Sequence, residues 1–327
     1  MNDSFAGRIF AERGEFPENL ALELFRFQYM TNALYRAYVD ALKINPASVR
    51  SLSAIPFLPI QFFKTRPVVC GEFEPAVVFE SSGTTTTVNS RHLVKDTGIY
   101  TRSFMEAFRL FYGDVKDFVV LGLLPSYLER QSSSLVYMVQ EMIRRSGRPE
   151  SGFYLYEHEK LAATLQELEA RQQPVLLIGV TFALLDFAEK FPMQLRHTIV
   201  METGGMKGRR EEWTREELHA FLGQQLGVPA IHAEYGMTEL LSQAYSKGNG
   251  IFYCPPWMKV LVRDENDPFQ LYAENAAGVI NVIDLANIYS CAFIATDDIG
   301  RIHADGGFEV MGRLDNSALR GCSLMVS

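Results

Sequence analysis

The chain has 327 residues, room for one large domain or two ordinary ones, and its 47% hydrophobic and 21% charged content is globular rather than disordered. A net charge of −8, from 31 Lys+Arg against 39 Asp+Glu, argues against a nucleic-acid or anionic-membrane surface, which needs a basic patch. The four cysteines form no CxxC pair and no stretch approaches the roughly 18 apolar residues of a membrane helix, so the expectation is a cytoplasmic protein with reduced thiols and no zinc site.

Residues 19–42 lack Pro and Gly, and Leu20, Leu24 and Phe27 recur at helical spacing, which predicts a helix. Residues 55–60 (IPFLPI) must be extended, because each proline disfavours helix in the residue before it. A short apolar run, residues 76–79, then meets the hydroxyl-rich stretch SSGTTTT at 81–87. Gly83 can take positive φ, successive backbone N–H groups there can form an anion nest, and Ser81, Ser82, Thr84, Thr85 and Thr86 add neutral donors. The stretch reads either as a polar surface loop or as a polyphosphate cradle; no Gly-Lys-Ser/Thr follows, so it is not a Walker loop.

Beyond it the pattern alternates. Residues 116–124 (KDFVVLGLL) read as a strand, and Leu135, Met138, Val139 and Met142 as a helix face. A strand VLLIGV after Pro174 precedes a helix over 182–191, and the strand HTIVM (197–201) runs into Glu202-Thr203-Gly204-Gly205. A helix over 215–226 leads to a short strand at 229–233. This β-then-α order predicts an α/β fold with a mainly parallel sheet, whose ligands sit beyond the carboxyl ends of the strands. Strands expected at 258–262, 279–285 and 291–295 have few helices between them, which predicts a smaller β-rich subdomain.

Three more loops carry candidate chemistry. In Glu234-Tyr235-Gly236-Met237-Thr238-Glu239, Tyr235 could stack on a base, Thr238 bond a phosphate oxygen and Glu239 hold Mg²⁺; a capped helix start is the plainer reading. Thr296-Asp297-Asp298-Ile299-Gly300 offers carboxylates for ribose hydroxyls or is a plain turn. Gly312-Arg313-Leu314-Asp315 is a charged hinge or a solvated turn.

In this order, the four loops resemble the adenylate-forming superfamily of acyl-CoA synthetases, luciferase-type enzymes and phenylacetate–CoA ligases, from about residue 79 onward. Residues 55–64 (IPFLPIQFFK), Arg91-His92 and residues 312–324 (GRLDNSALRGCSL) look more narrowly like the LuxE-like acyl-protein synthetases, which activate fatty acids. The resemblance implies the superfamily's large N-terminal α/β domain as a single unit over 1–327. That unit would divide into a lead-in at 1–75, an α/β part at 76–250 and a β-rich part with the hinge at 251–327. The superfamily's small C-terminal domain is expected to be lacking.

By the same resemblance Ser81 to Thr86 would wrap the ATP phosphates, Gly204 and Gly205 would lie beside the adenine, and Tyr235 would stack on it. Thr238 would touch the α-phosphate, Glu239 would bind Mg²⁺, Asp298 and Arg313 would hold the ribose, and Asp315 would be the hinge. His92 is a candidate contact to a carboxylate or phosphate. Cys322 matches the LuxE-like acyl acceptor, and Cys254 is a second candidate. The phosphate loop departs from the family's pattern at Thr87 and lacks its lysine, so that a phosphate contact is missing or is supplied by Arg91 or Lys95. The expected activity is ATP-dependent formation of acyl-AMP from a carboxylic acid, fatty in kind, and transfer to a thiol, for which its own Cys322 is a candidate, with an acyl-accepting reductase or carrier as partner. The alternatives are a ligase that uses CoA and a nucleotide- or acyl-binding protein with little catalysis.

Overall fold

The computed structural model describes residues 5–11, 14–81, 88–124, 132–204, 213–272 and 275–314. Two six-stranded sheets and one two-stranded hairpin organise these residues. The first sheet runs Gly152–Phe153, Val119–Leu123, Val175–Val180, Thr198–Thr203, His232–Tyr235 and Ala244–Ser246; the first five strands are parallel and the last is antiparallel. Every residue of Val119–Leu123 and Val175–Val180 is buried, as continuous apolar runs covered by helices on both faces require.

Local chemistry sets the helix ends. Asp96 accepts from Gly98 N at 2.8 Å to start Thr97–Tyr112. Ser133 accepts from Val136 N at 3.3 Å to start Ser134–Ser146, and Gly147 ends that helix in the left-handed region at φ 64°. Thr214 and Glu217 form a reciprocal capping box on Arg215–Leu226.

The second sheet runs Ile251–Phe252, Phe308–Arg313, Phe293–Ile302, Ala277–Asp284 and Met258–Arg263, all antiparallel. Leu58–Pro59 adds to it in parallel with Phe293–Ile302, so the proline-rich lead-in builds into this sheet. The hairpin pairs Val77–Glu80 with Arg91–Val94.

Several sequence expectations shift. The helix expected over 19–42 is two helices, Glu18–Thr31 and Ala33–Ala41. Asn32 breaks it: its Oδ1 accepts from Tyr35 N at 2.9 Å and its Nδ2 donates to the Ser290 carbonyl at 3.0 Å. The strand expected at 229–233 is His232–Tyr235, so Glu234 and Tyr235 are sheet residues. Residues 296–300 are not a turn after a strand but the middle of Phe293–Ile302, and Gly312 and Arg313 end the neighbouring strand. No helix among the described residues is long and apolar enough to cross a membrane.

Candidate active site

A cleft of about 540 Å³ opens where the carboxyl ends of the parallel strands face the second sheet. Its wall includes Thr203 and Gly204 from one strand end, Glu234 from the next, and Thr238 and Glu239 from the segment after it. Asp297 and Arg313 close it from the second sheet. The volume lies in the range of small-molecule sites.

The segment after Tyr235 is held by its backbone. His92 Nδ1 donates to the Thr238 carbonyl at 2.9 Å, and Asn287 Nδ2 donates to the Glu239 carbonyl at 2.8 Å. Asp284 accepts from Leu241 N at 2.7 Å, Ser242 N at 3.1 Å and Ser242 Oγ at 2.5 Å. Three side chains from outside the segment thus fix it, and Thr238 and Glu239 line the cleft.

Glu239 is buried, and desolvation holds its carboxyl above the usual range against the pull of a Ser90 hydrogen bond and the charges of Arg313 and Lys64. Its setting fits an Mg²⁺ ion shared with nucleotide phosphates, since Mg²⁺ takes one or two carboxylates plus substrate oxygens. It does not fit an ion held by protein alone: among the described residues no three His, Cys, Asp or Glu converge.

His92 stands behind the cleft lining rather than in it. It is 1% exposed, its ring is edge-on to Phe63 at 5.8 Å, and burial lowers its pKa to about 4. Its Nδ1–H, spent on the Thr238 carbonyl, positions that residue, and the ring is not part of the cleft wall.

Tyr235 is nearly buried. Its ring lies edge-on to Phe308 at 5.4 Å and tilted to Phe252 at 5.9 Å, and its hydroxyl donates to Asp298 Oδ2 at 2.8 Å. Asp298 pairs in register with Arg313 across two strands, and Arg313 Nε lies 3.4 Å from Asp298 Oδ1. Burial raises the Asp298 pKa, and Arg313 and Tyr235 oppose the shift. Tyr235, Asp298 and Arg313, far apart in sequence, are therefore one bonded unit between the sheets.

Gly204 has φ +74°, a conformation L side chains rarely adopt, and its carbonyl accepts from Thr181 Oγ1 at 3.1 Å. Ser81 lines the cleft, and its Oγ accepts from Ser90 N at 2.9 Å. Ser82, Gly83, Thr84, Thr85, Thr86, Gly205, Asp315 and Cys322 lie outside the described residues.

Neither Arg91 nor Lys95 lines the cleft. Lys95 Nζ sits over the Tyr289 ring at 4.4 Å and does not line the cleft, and Arg91 pairs with Glu80 at 3.5 Å. Lys64 lines the cleft instead. The signal for it was present: it ends the stretch IPFLPIQFFK. Glu234 and Gln243 are two further cleft residues to which the motif pattern assigned no role. Burial pushes the Cys70 thiol up to about 11 and Cys254 to about 12, and raises Cys291 further, which makes all three poor nucleophiles. Cys254 is partly buried and does not line the cleft.

No family model matches the sequence, and no curated protein does. Solved structures do. A 2-hydroxyisobutyryl-CoA ligase in an open conformation with 2-HIB-AMP and CoA superposes with a TM-score of 0.68 at 13% identity, over 91% of this chain and 70% of that one. The fold is that of the adenylate-forming enzymes' large N-terminal domain. ATP-bound MatB from Rhodopseudomonas palustris gives 0.57 at 17% identity, over 74% of this chain and 49% of that one. O-succinylbenzoate coenzyme A synthetase (MenE) from Bacillus subtilis with AMP gives 0.51 at 16%, over 74% and 50%. The chain thus spans about half the length of MatB and of MenE.

Proposed function

We propose that the protein activates a carboxylic acid with ATP, forming acyl-AMP and pyrophosphate, and passes the acyl group to a thiol. The observation that carries this reading is the assembly of Thr238, Glu239, Lys64 and Arg313 around one cleft on this fold, with Asp298 paired to Arg313 behind it.

A carboxylate is a poor acyl donor because its leaving group is oxide. Its attack on the α-phosphorus of ATP breaks the bond to pyrophosphate and converts the leaving group to AMP. The protein must align the two reactants and offset charge on the departing pyrophosphate. Thr238, held by His92, would bond the α-phosphate, with Ser81 and the hydroxyl stretch after it on the outer phosphates. Lys64 would supply the cation that the stretch lacks. Asp298 would take the ribose hydroxyls, with Arg313 beside it; Tyr235 would hold Asp298 at the adenine edge. A bound Mg²⁺ at Glu239 would supply positive charge to the phosphates.

The acyl chain, as in a fatty acid, would lie along Leu135 and Met138. Thiolate attack on acyl-AMP then forms the thioester and releases AMP. Cys322 would be the acceptor, by its likeness to the acceptor position of the LuxE-like proteins; two of the other thiols, Cys70 and Cys291, are buried. A reductase or carrier would take the acyl group onward.

Hydroxylamine trapping tests the reading. Acid, ATP and protein together should yield hydroxamate and AMP in equal amounts. ADP in place of AMP, or no hydroxamate from any acid in a broad panel, would refute it. With hydroxylamine omitted, Cys322→Ala should lose acyl labelling of the protein; label transferred to added CoA would name the free thiol instead.

A further inference from the structure

The cleft holds two hydrogen-bonding side chains that the adenylation chemistry does not use. Glu234 is the next-to-last residue of the strand His232–Tyr235 and is half-buried, and its Oε2 accepts from Thr203 Oγ1 at 2.5 Å. Gln243 is 3% exposed, lines the same cleft, and its Oε1 is buried without a hydrogen-bond partner.

The two side chains converge over one point of backbone. A Cβ on Gly236 would collide with Glu234 Oε1 and stand 3.4 Å from Gln243 Cγ. Glycine at 236 thus leaves the space that both side chains border. Apolar Leu135 and Met138 line the cleft as well.

A buried acceptor left unpaired costs about 1–3 kcal/mol. A donor brought to this wall can supply the missing bond. A plain hydrocarbon chain has no donor to offer. This wall therefore favours an acid with a donor over a plain one.

We propose that the acid activated here carries a hydrogen-bond donor, a hydroxyl or an ammonium group, which binds between Glu234 and Gln243. This inference rests on the adenylation reading and narrows its substrate class. Burial pushes the Glu234 carboxyl up to about 7, so the side chain serves either donor. A hydroxyl is bound by the acid or its anion, whereas an ammonium group favours the anion.

ATP–pyrophosphate exchange on the intact protein tests it. The probes are a ladder of straight-chain acids, each unsubstituted, hydroxylated at a single carbon, or aminated at a single carbon. For at least one substituted acid, kcat/KM should exceed that of its unsubstituted match by about tenfold or more, the scale of one buried polar pairing. Gln243→Leu should bring that ratio down to near unity. Glu234→Gln should retain a preference for hydroxyl but lose one for ammonium, which separates the two donors. If the unsubstituted acids are best in the unchanged protein, or if Gln243→Leu leaves the ratio as it was, the inference fails while adenylation stands. The comparison within the unchanged protein decides even where a variant does not fold. No exchange with any acid overturns both readings together.

Discussion

Replacing Glu234 by Gln should make the protein more stable, and more so as the pH rises. Burial moves the Glu234 pKa from 4.5 to about 7. The sign follows from proton binding. Between these two values the unfolded chain has released its proton and the folded protein still holds one, so stability falls as pH rises through the window and levels off above it. At 1.36 kcal/mol for each unit, the penalty grows by at most about 2.5 kcal/mol between about pH 5 and about pH 8. Water entering the cleft lowers this figure, because Glu234 is only half-buried. Gln keeps the shape and can still accept from Thr203 Oγ1, yet does not titrate. Urea unfolding of both proteins at the two pH values isolates the effect, since groups shared by both cancel. The variant should gain roughly 1–2.5 kcal/mol on the unchanged protein in passing from the acid to the alkaline condition. Parallel pH dependences, or a relative loss, would refute the reasoning.

Other outcomes follow from the same geometry. His92 has its pKa lowered from 6.5 to about 4 by burial, so the unfolded chain gains a proton first as pH falls through that window and stability drops. His92→Gln, whose amide can still donate to the Thr238 carbonyl, should flatten the acid side of a melting-temperature profile. Asp284→Ala leaves the buried Leu241 and Ser242 N–H groups and the Ser242 hydroxyl without their acceptor, and should cost more than about 3 kcal/mol in denaturant unfolding. Lys64→Met should weaken ATP binding about tenfold or more in calorimetry and AMP binding far less, because the cation is assigned to the outer phosphates. Equal losses for the two nucleotides would remove that assignment.

The parallel sheet was legible because strands buried on both faces read as unbroken apolar runs, as in VLLIGV. The segment 234–239 was legible because its glycine, hydroxyl and carboxylate come close together in sequence. Asp298 was placed in a turn because Asp-Asp-x-Gly is turn-like. Its strand is held by long-range pairing, Asp298 with Arg313 and Leu58 with Ile294, which no local window contains. Gln28 shows the same limit: it donates to the Asn287 carbonyl and accepts from Ala292 N, residues some 260 positions away. Lys64 belonged to a marked stretch but reached the site only through the fold, and Gln243 belonged to none of the marked loops. Gln243 became conspicuous only because burial left its Oε1 unpaired.

The central claim is that the acid's own oxygen attacks the α-phosphorus. Acid labelled with ¹⁸O in both carboxylate positions, turned over with ATP and a thiol acceptor, tests it most directly. Mass spectrometry should find one labelled oxygen in the AMP and none in the pyrophosphate. Unlabelled AMP, or label in inorganic phosphate, would contradict the account.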